Sequence, residues 1–148
     1  GNWDALGVIV NEQPDILGHN VETVPRLYSE VRPEAVYQRT LDLLAEVERR
    51  DPRIIRKSGL MLGMGEQKDE VIQVMKDLRS HQCQLLTMGQ YLAPTRDHFP
   101  VQRYVTPDEF NHYAAEGLKL GFDHVESGPL VRSSYHAEEQ YDASRGEK

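Results

Sequence analysis

The stretch IIRKSGLMLGMGE, residues 54–66, decides how this chain is read. A largely apolar run ends at Leu62, and Gly63 and Gly65 then break it. A short apolar run bounded by turn residues is the pattern of a strand covered on both faces. The segments on either side have helical period. Upstream, over residues 33–50, Tyr37, Leu41, Leu44 and Val47 form an apolar stripe, with Glu34 in the expected first turn and Arg49 and Arg50 in the last, matching the helix dipole. Asp51-Pro52 stops that helix. Downstream, Val71, Met75 and Leu78 fall on one face of a helix expected over residues 70–78.

The alternation extends in both directions. Trp3, Leu6 and Val10 have helical spacing, and PDILGHNVE (14–22) reads as a short buried strand ending in polar residues. CQLLTMGQYLAP (83–94) is a third strand, stopped by Pro94. Thr106-Pro107-Asp108-Glu109 is a capping box with Pro at the first helical position, and Gly121 suits the helix end. FDHVESGPLV (122–131) reads as a fourth strand. Strands beginning near 15, 54, 84 and 122, with a helix between each pair, predict an α/β fold with a mostly parallel sheet. Four such units make either half of a (β/α)8 barrel or a small open doubly wound sheet. Both put function just past the carboxyl ends of the strands.

Composition narrows the function classes. At 148 residues with 39% hydrophobic and 28% charged content, the chain suits one ordinary domain, followed from about Glu138 by a polar tail. The net charge of −7 argues against a nucleic-acid binder, and no apolar run is long enough for a membrane span. GNWDALGVIV has no basic region before its apolar part and no initiator Met, so it does not read as a signal peptide and suggests a fragment. The single cysteine, Cys83, precludes an internal disulfide or a multi-thiolate metal site made by this chain alone, which points to a reducing, cytoplasmic setting.

Polar residues gather at each expected strand end: His19, Asn20 and Glu22; Gly63 to Glu66; Gln90 and Tyr91; and Arg132, Ser133, Ser134 and Tyr135. Four such ends in register predict a shared cleft. Each cluster also has a structural reading. Asn20 and Glu22 are suited to capping the next segment, and Gly59, Gly63 and Gly65 to tight turns or close packing. Lys57 is either a Schiff-base lysine with a burial-lowered pKa or a solvated or ion-paired one. Arg132 and Ser133 could hold an anion or cap a last strand. The histidines at 19, 98, 124 and 136 are too dispersed for a metal site, and Cys83 reads as a small core residue.

Four segments carry a resemblance: GHNVETVPRLYSEVRPEAVYQRTLDLL, KSGLMLGMGE, LTMGQYLAPTRDHFPVQRYVTPDEF and SGPLVRSSYHAE. In this order, from about Trp3 to Glu139, they resemble the C-terminal half of the lipoyl synthase family of radical S-adenosylmethionine (SAM) enzymes. The resemblance implies a partial (β/α)6 TIM-type barrel, with residues 1–137 supplying its last strands and C-terminal extension and 138–148 a polar tail. It implies insertion of two sulfur atoms, at C6 and C8, into an octanoyl chain on a lysine of a lipoyl domain (as in 2-oxo acid dehydrogenase E2 subunits) or of the glycine cleavage H protein. One [4Fe–4S] cluster would cleave SAM to the hydrogen-abstracting radical, and a second, auxiliary [4Fe–4S] cluster would give up its sulfur and be rebuilt with an iron–sulfur carrier protein. No catalytic acid or base is implied in this half.

Carried over by position, the resemblance assigns SAM contacts to Asn20, Glu22, Lys57, Gly59, Leu62, Gly63, Gln90 and Tyr91. RSSY matches a signature in which a serine ligates one iron of the auxiliary cluster. Ser133 is assigned, with Ser134 as the alternative, and Arg132 and Tyr135 are placed near cluster and substrate. A serine oxygen is a harder ligand than thiolate, which suits an iron that must be lost. The chain departs from the family in lacking both of its cysteine triplets, so the isolated polypeptide is expected to hold neither cluster and to be inactive. Thr40, where serine is expected, is a benign departure on a helix. Two rivals remain: a lysine-dependent barrel lyase using Lys57, and a stand-alone α/β module binding an anion or nucleotide through Arg132 and the Gly63–Gly65 turn.

Overall fold

The computed structural model describes residues 3–132. Ser133, Ser134, Tyr135 and the polar tail lie outside the described residues. Helix α1 (Trp3–Asn11) leads into the three-residue strand β1 (Ile16–Gly18). A 3-10 turn (Pro25–Leu27) and the short helix α2 (Tyr28–Val31) precede α3 (Tyr37–Arg50). Strand β2 (Ile55–Leu62), α4 (Lys68–Ser80), β3 (Leu85–Gln90), α5 (Pro107–Leu120) and β4 (His124–Ser127) follow. The four strands form one parallel sheet in the order β1-β2-β3-β4. Among the described residues the strand order is sequential, with no reversal.

Strand alternation divides the sheet into two faces. Leu60 and Leu62 of β2, Leu86 and Met88 of β3 and Val125 of β4 pack with Leu41 and Leu44 of α3, Val71, Val74, Met75 and Leu78 of α4, and Phe110 and Tyr113 of α5. A smaller apolar cluster joins Leu6 and Val10 of α1 to Leu17, Val47 and Ile54. The other face carries Lys57, Gly59 and Met61, then Leu85, Thr87 and Gly89, then His124 and Glu126.

Three expectations are corrected in detail. The helix expected from residue 33 begins at Tyr37, and Glu34 is not in it. Pro33 disfavours helical backbone at Arg32, the Ala35 N–H bonds back to the Arg32 carbonyl in a turn, and Val36 is extended. The fourth strand stops at Ser127. Gly128 and Pro129 follow, and a proline gives no N–H to a ladder; the chain turns, with the Val131 N–H on the Gly128 carbonyl. The first strand holds only three residues, and pairing resumes at a single bridge between Glu22 and Leu60.

The α5 capping box forms as read: Thr106 Oγ1 accepts from the Glu109 N–H, the Glu109 carboxylate accepts from the Thr106 N–H, and Gly121 closes the helix in the left-handed region at φ 105°. Helix α4 has a second box, between Gln67 and Glu70. Among the described residues no helix is long and apolar enough to cross a membrane.

Candidate functional site

The site begins as an irregularity in the β1–β2 pairing. Gly18 lies opposite Lys57, but the next partner pair is Glu22 with Leu60, so four residue steps on one side match three on the other. The extra residue is accommodated as in a bulge, which bends a strand and re-aims its side chains. The His19 N–H donates to the Lys57 carbonyl, the Glu22 N–H to Gly59, and the Met61 N–H to Glu22. Glu22 takes φ 71°, a left-handed conformation that costs a non-glycine residue on the order of 1–3 kcal/mol. Ser58 steadies the bulge, its Oγ accepting from the Val21 N–H at 3.2 Å.

The bulge places the Asn20 side chain over β2 where only a glycine fits. A Cβ on Gly59 would lie 2.7 Å from Asn20 Oδ1 and 2.8 Å from Thr87 Oγ1. A similar approach occurs on β3, where a Cβ on Gly89 would lie 2.1 Å from the Val131 carbonyl oxygen. The chain after β4 thus returns across the end of the sheet through the space left by Gly89.

The result is a cavity of about 220 Å³ at the carboxyl ends of the strands. Asn20, Glu22 and Thr87 are its polar lining and Met61, Leu92 and Val131 its apolar wall, with Gly59, Gly89, Gln90 and Arg132 completing it. Thr87 is 3% exposed, and its hydroxyl has no hydrogen-bond partner among the described residues. The carboxylate of Glu22 and the amide of Asn20 likewise make no hydrogen bond among those residues. An acid, an amide and a hydroxyl left open around a glycine floor can bind a ligand with an ammonium group and several hydroxyls.

The structure therefore brings together Asn20, Glu22, Gly59, Gln90 and Arg132. The other candidates sit behind the cavity. Leu62 is fully buried in the core beneath the helices. Gly63, at φ 104°, turns the chain out of β2: its N–H donates to the Glu66 carboxylate, and its carbonyl accepts from the Gln102 and Arg103 N–H groups. Gln90 holds the same loop, Nε2 donating to the Tyr91 and Arg103 carbonyls and Oε1 accepting from the Val105 N–H. Tyr91 donates its hydroxyl to the Phe99 carbonyl at 2.6 Å.

Lys57 is buried two residues below the Gly59 floor, away from the cavity lining. Burial pushes its amine below the usual lysine range, and Glu126 partly opposes that. The Cys83 thiol is fully buried at the start of β3, far from the strand ends, and donates to the Leu85 carbonyl at 3.3 Å. Burial raises it to about 12, so it stays a thiol. Among the described residues no three His, Cys, Asp or Glu side chains could hold a metal ion. Those residues fit no iron–sulfur cluster.

Sequence reading missed Thr87, Met61, Gly89, Leu92 and Val131. For Thr87 and Gly89 a signal existed: in LLTMGQ the small or polar residues alternate with Leu86 and Met88, so they share the face opposite the core. The Val131 contact depends on a chain reversal with no local signature.

No protein-family model matches the chain. It is 56% identical over 146 residues to a lipoyl synthase of Caldanaerobacter subterraneus, covering 99% of this chain and 51% of that protein. It is 53% identical over 147 residues to a lipoyl synthase of Rubrobacter xylanophilus (99% and 46%), and 58% identical over 138 residues to one of Citrifermentans bemidjiense (93% and 47%). The chain spans about half the length of the curated relatives it matches.

Proposed function

The chain is homologous to lipoyl synthases over essentially its whole length, and we propose that it is the C-terminal half of one, with residues 1–137 completing a partial (β/α)6 barrel ahead of a polar tail. The whole protein would insert two sulfur atoms, at C6 and C8, into a protein-bound octanoyl-lysine, as a radical SAM sulfurtransferase of the cytoplasm. One observation carries the reading for this half: Asn20, Glu22, Gly59, Thr87 and Arg132 surround one cavity at the strand ends.

When bound, SAM and the two clusters supply the radical hydrogen abstraction and the sulfur. The work of this chain is to bind, orient and exclude water. Glu22 and Asn20 present a carboxylate and an amide to the ammonium and ribose hydroxyls of SAM. Thr87 adds a hydroxyl from the floor, and Gly59 keeps that floor open. Met61, Leu92 and Val131 form an apolar wall against which an adenine can lie. Arg132, at the cavity rim, precedes Ser133, the proposed oxygen ligand of the auxiliary cluster, with Ser134 the alternative and Tyr135 beside it. Gln90 lines the cavity, and Leu62, Gly63 and Tyr91 hold its edge from behind. The cavity is smaller than the roughly 300–1,000 Å³ of a complete small-molecule pocket, in keeping with a site whose remaining wall and cysteine ligands come from the other half. The isolated chain is inactive on this reading. Its partners are the octanoylated lipoyl domain or H protein and an iron–sulfur carrier. The lyase reading loses its support because Lys57 does not line the cavity.

The test uses the full-length protein that contains this chain. It converts an octanoylated lipoyl domain to the lipoyl form, and by calorimetry Thr87→Val weakens SAM binding about tenfold, the loss of one hydrogen bond to a charged or polar ligand, while Thr87→Ser restores it. A full-length protein that binds SAM but makes no lipoyl product sinks the reaction. Unchanged affinity in Thr87→Val sinks the placement of SAM in this cavity.

A further inference from the structure

A second cleft, of about 250 Å³, opens between the first turns of α1 and α3, lined by Trp3, His19, Arg32, Val36, Arg39 and Thr40 among others. Its charge is out of character. The chain carries −7 overall, yet two arginines line this cleft and no carboxylate does; His19 beside them is held below its usual pKa by burial and by Arg32, so it adds no charge at neutral pH. Among the described residues neither arginine forms an ion pair within 4 Å. Arg32 lies over the Tyr28 ring at 5.8 Å, and Arg39 is exposed.

Two further observations point to a missing anionic partner. Thr40 lines the cleft at 3% exposure, with no hydrogen bond for its hydroxyl among the described residues. The N-terminus of α3 has no side-chain cap, because Val36 occupies that position, so the positive end of a 14-residue helix is left uncompensated there. The rim is apolar as well, with Trp3 at 39% and Val36 at 46% exposure. Arginine and tryptophan around a partly apolar patch are the composition of protein interfaces.

We propose that this cleft docks an acidic surface of the protein that carries the acyl substrate, with Arg39 and Arg32 pairing its carboxylates and Trp3 and Val36 packing at the edge. This rests on the reading that the whole enzyme acts on a carried substrate. His19 lines the cleft and the next residue, Asn20, lines the strand-end cavity, so the two sites adjoin along the chain.

The experiment measures binding of an octanoylated lipoyl domain to the full-length protein at low and physiological salt, alongside SAM affinity and melting temperature. Arg39→Glu weakens domain binding by about tenfold or more at low salt, Arg39→Gln less, and both variants lose part of the salt dependence of wild type. SAM affinity and melting temperature stay at wild-type values. Domain affinity within twofold of wild type in both variants overturns the proposal. So does a lowered melting temperature in both, which would show the cleft filled by the protein's own remaining chain. Wild-type protein that binds SAM but not the domain also overturns it and leaves the cavity assignment standing. Wild-type protein that binds neither rejects the functional reading itself.

Discussion

Glu22 lines the strand-end cavity in a backbone conformation that is costly for the fold. Its φ of 71° is a conformation glycine adopts freely, and its carboxylate has no hydrogen-bond partner among the described residues. Its contacts with β2 are made by its backbone, which accepts from the Met61 N–H at 2.8 Å and donates to the Gly59 carbonyl at 3.0 Å. Replacing it with glycine keeps both bonds and removes a strain of roughly 1–2 kcal/mol, against about 0.5–1 kcal/mol of added chain entropy. Glu22→Gly is therefore expected to be as stable as wild type or up to about 1 kcal/mol more stable in urea unfolding, while SAM affinity falls at least about tenfold with loss of a charged contact. A variant that unfolds more easily yet binds SAM normally would make Glu22 a structural residue.

At the scale of elements, the connection from β3 to α5 adds polar latches to its apolar anchors, with Tyr91 and Val105 in the core and Phe99 and Val101 packed against it. Gln90 fixes its end near Val105, and Arg103 makes a two-pronged ion pair with Glu109, whose carboxylate also caps α5. The Arg103 pair, with the Thr106 bonds, holds the Glu109 carboxyl down to about 2. A carboxyl depressed in the folded state contributes stability above its unfolded pKa of about 4.3 and loses it as pH falls through the folded value. Glu109→Gln is thus expected to cost about 1 kcal/mol at pH 7, and the gap to wild type should narrow between pH 4.5 and 2 in denaturant unfolding. A gap independent of pH would show that the ion pair contributes nothing. The α5 cap was legible in sequence because Thr106, Pro107 and Glu109 act on their own helix end. The Gln90 latch was not, since its partners lie 13 and 15 residues away. The same distinction governs the site. Asn20, Glu22 and Arg132 could be found as polar residues at strand ends, whereas Thr87 is buried within a strand and becomes visible only once the two sheet faces are known. Arg56, buried and donating to the Gln82 and Ile54 carbonyls, gave no signal at all.

For the whole molecule, the sheet is left with two open sides. Among the described residues β1 pairs only with β2, and β4 only with β3, so both outer edges keep unpaired backbone groups. Near the β1 side, α1 exposes Val8 at 62% and Ile9 at 46%. The sheet face away from the helices carries the buried Lys57 and Thr87 and the half-buried His124 and Glu126, with His124 Nε2 and Glu126 Oε1 3.5 Å apart. Unpaired edges and exposed apolar helix faces drive association of parallel sheets, and the strand-end cavity is open for the same reason. The 148-residue chain by itself is accordingly expected to form concentration-dependent oligomers between micromolar and sub-millimolar protein. Light scattering coupled to size exclusion reads this directly, and co-expression with the remaining half of a lipoyl synthase should return it to a defined complex. A lasting monomer with a cooperative, reversible melt would mean that four βα units close their own core. The cavity would then be a finished site, and the stand-alone ligand-binding module would become the better account of the chain.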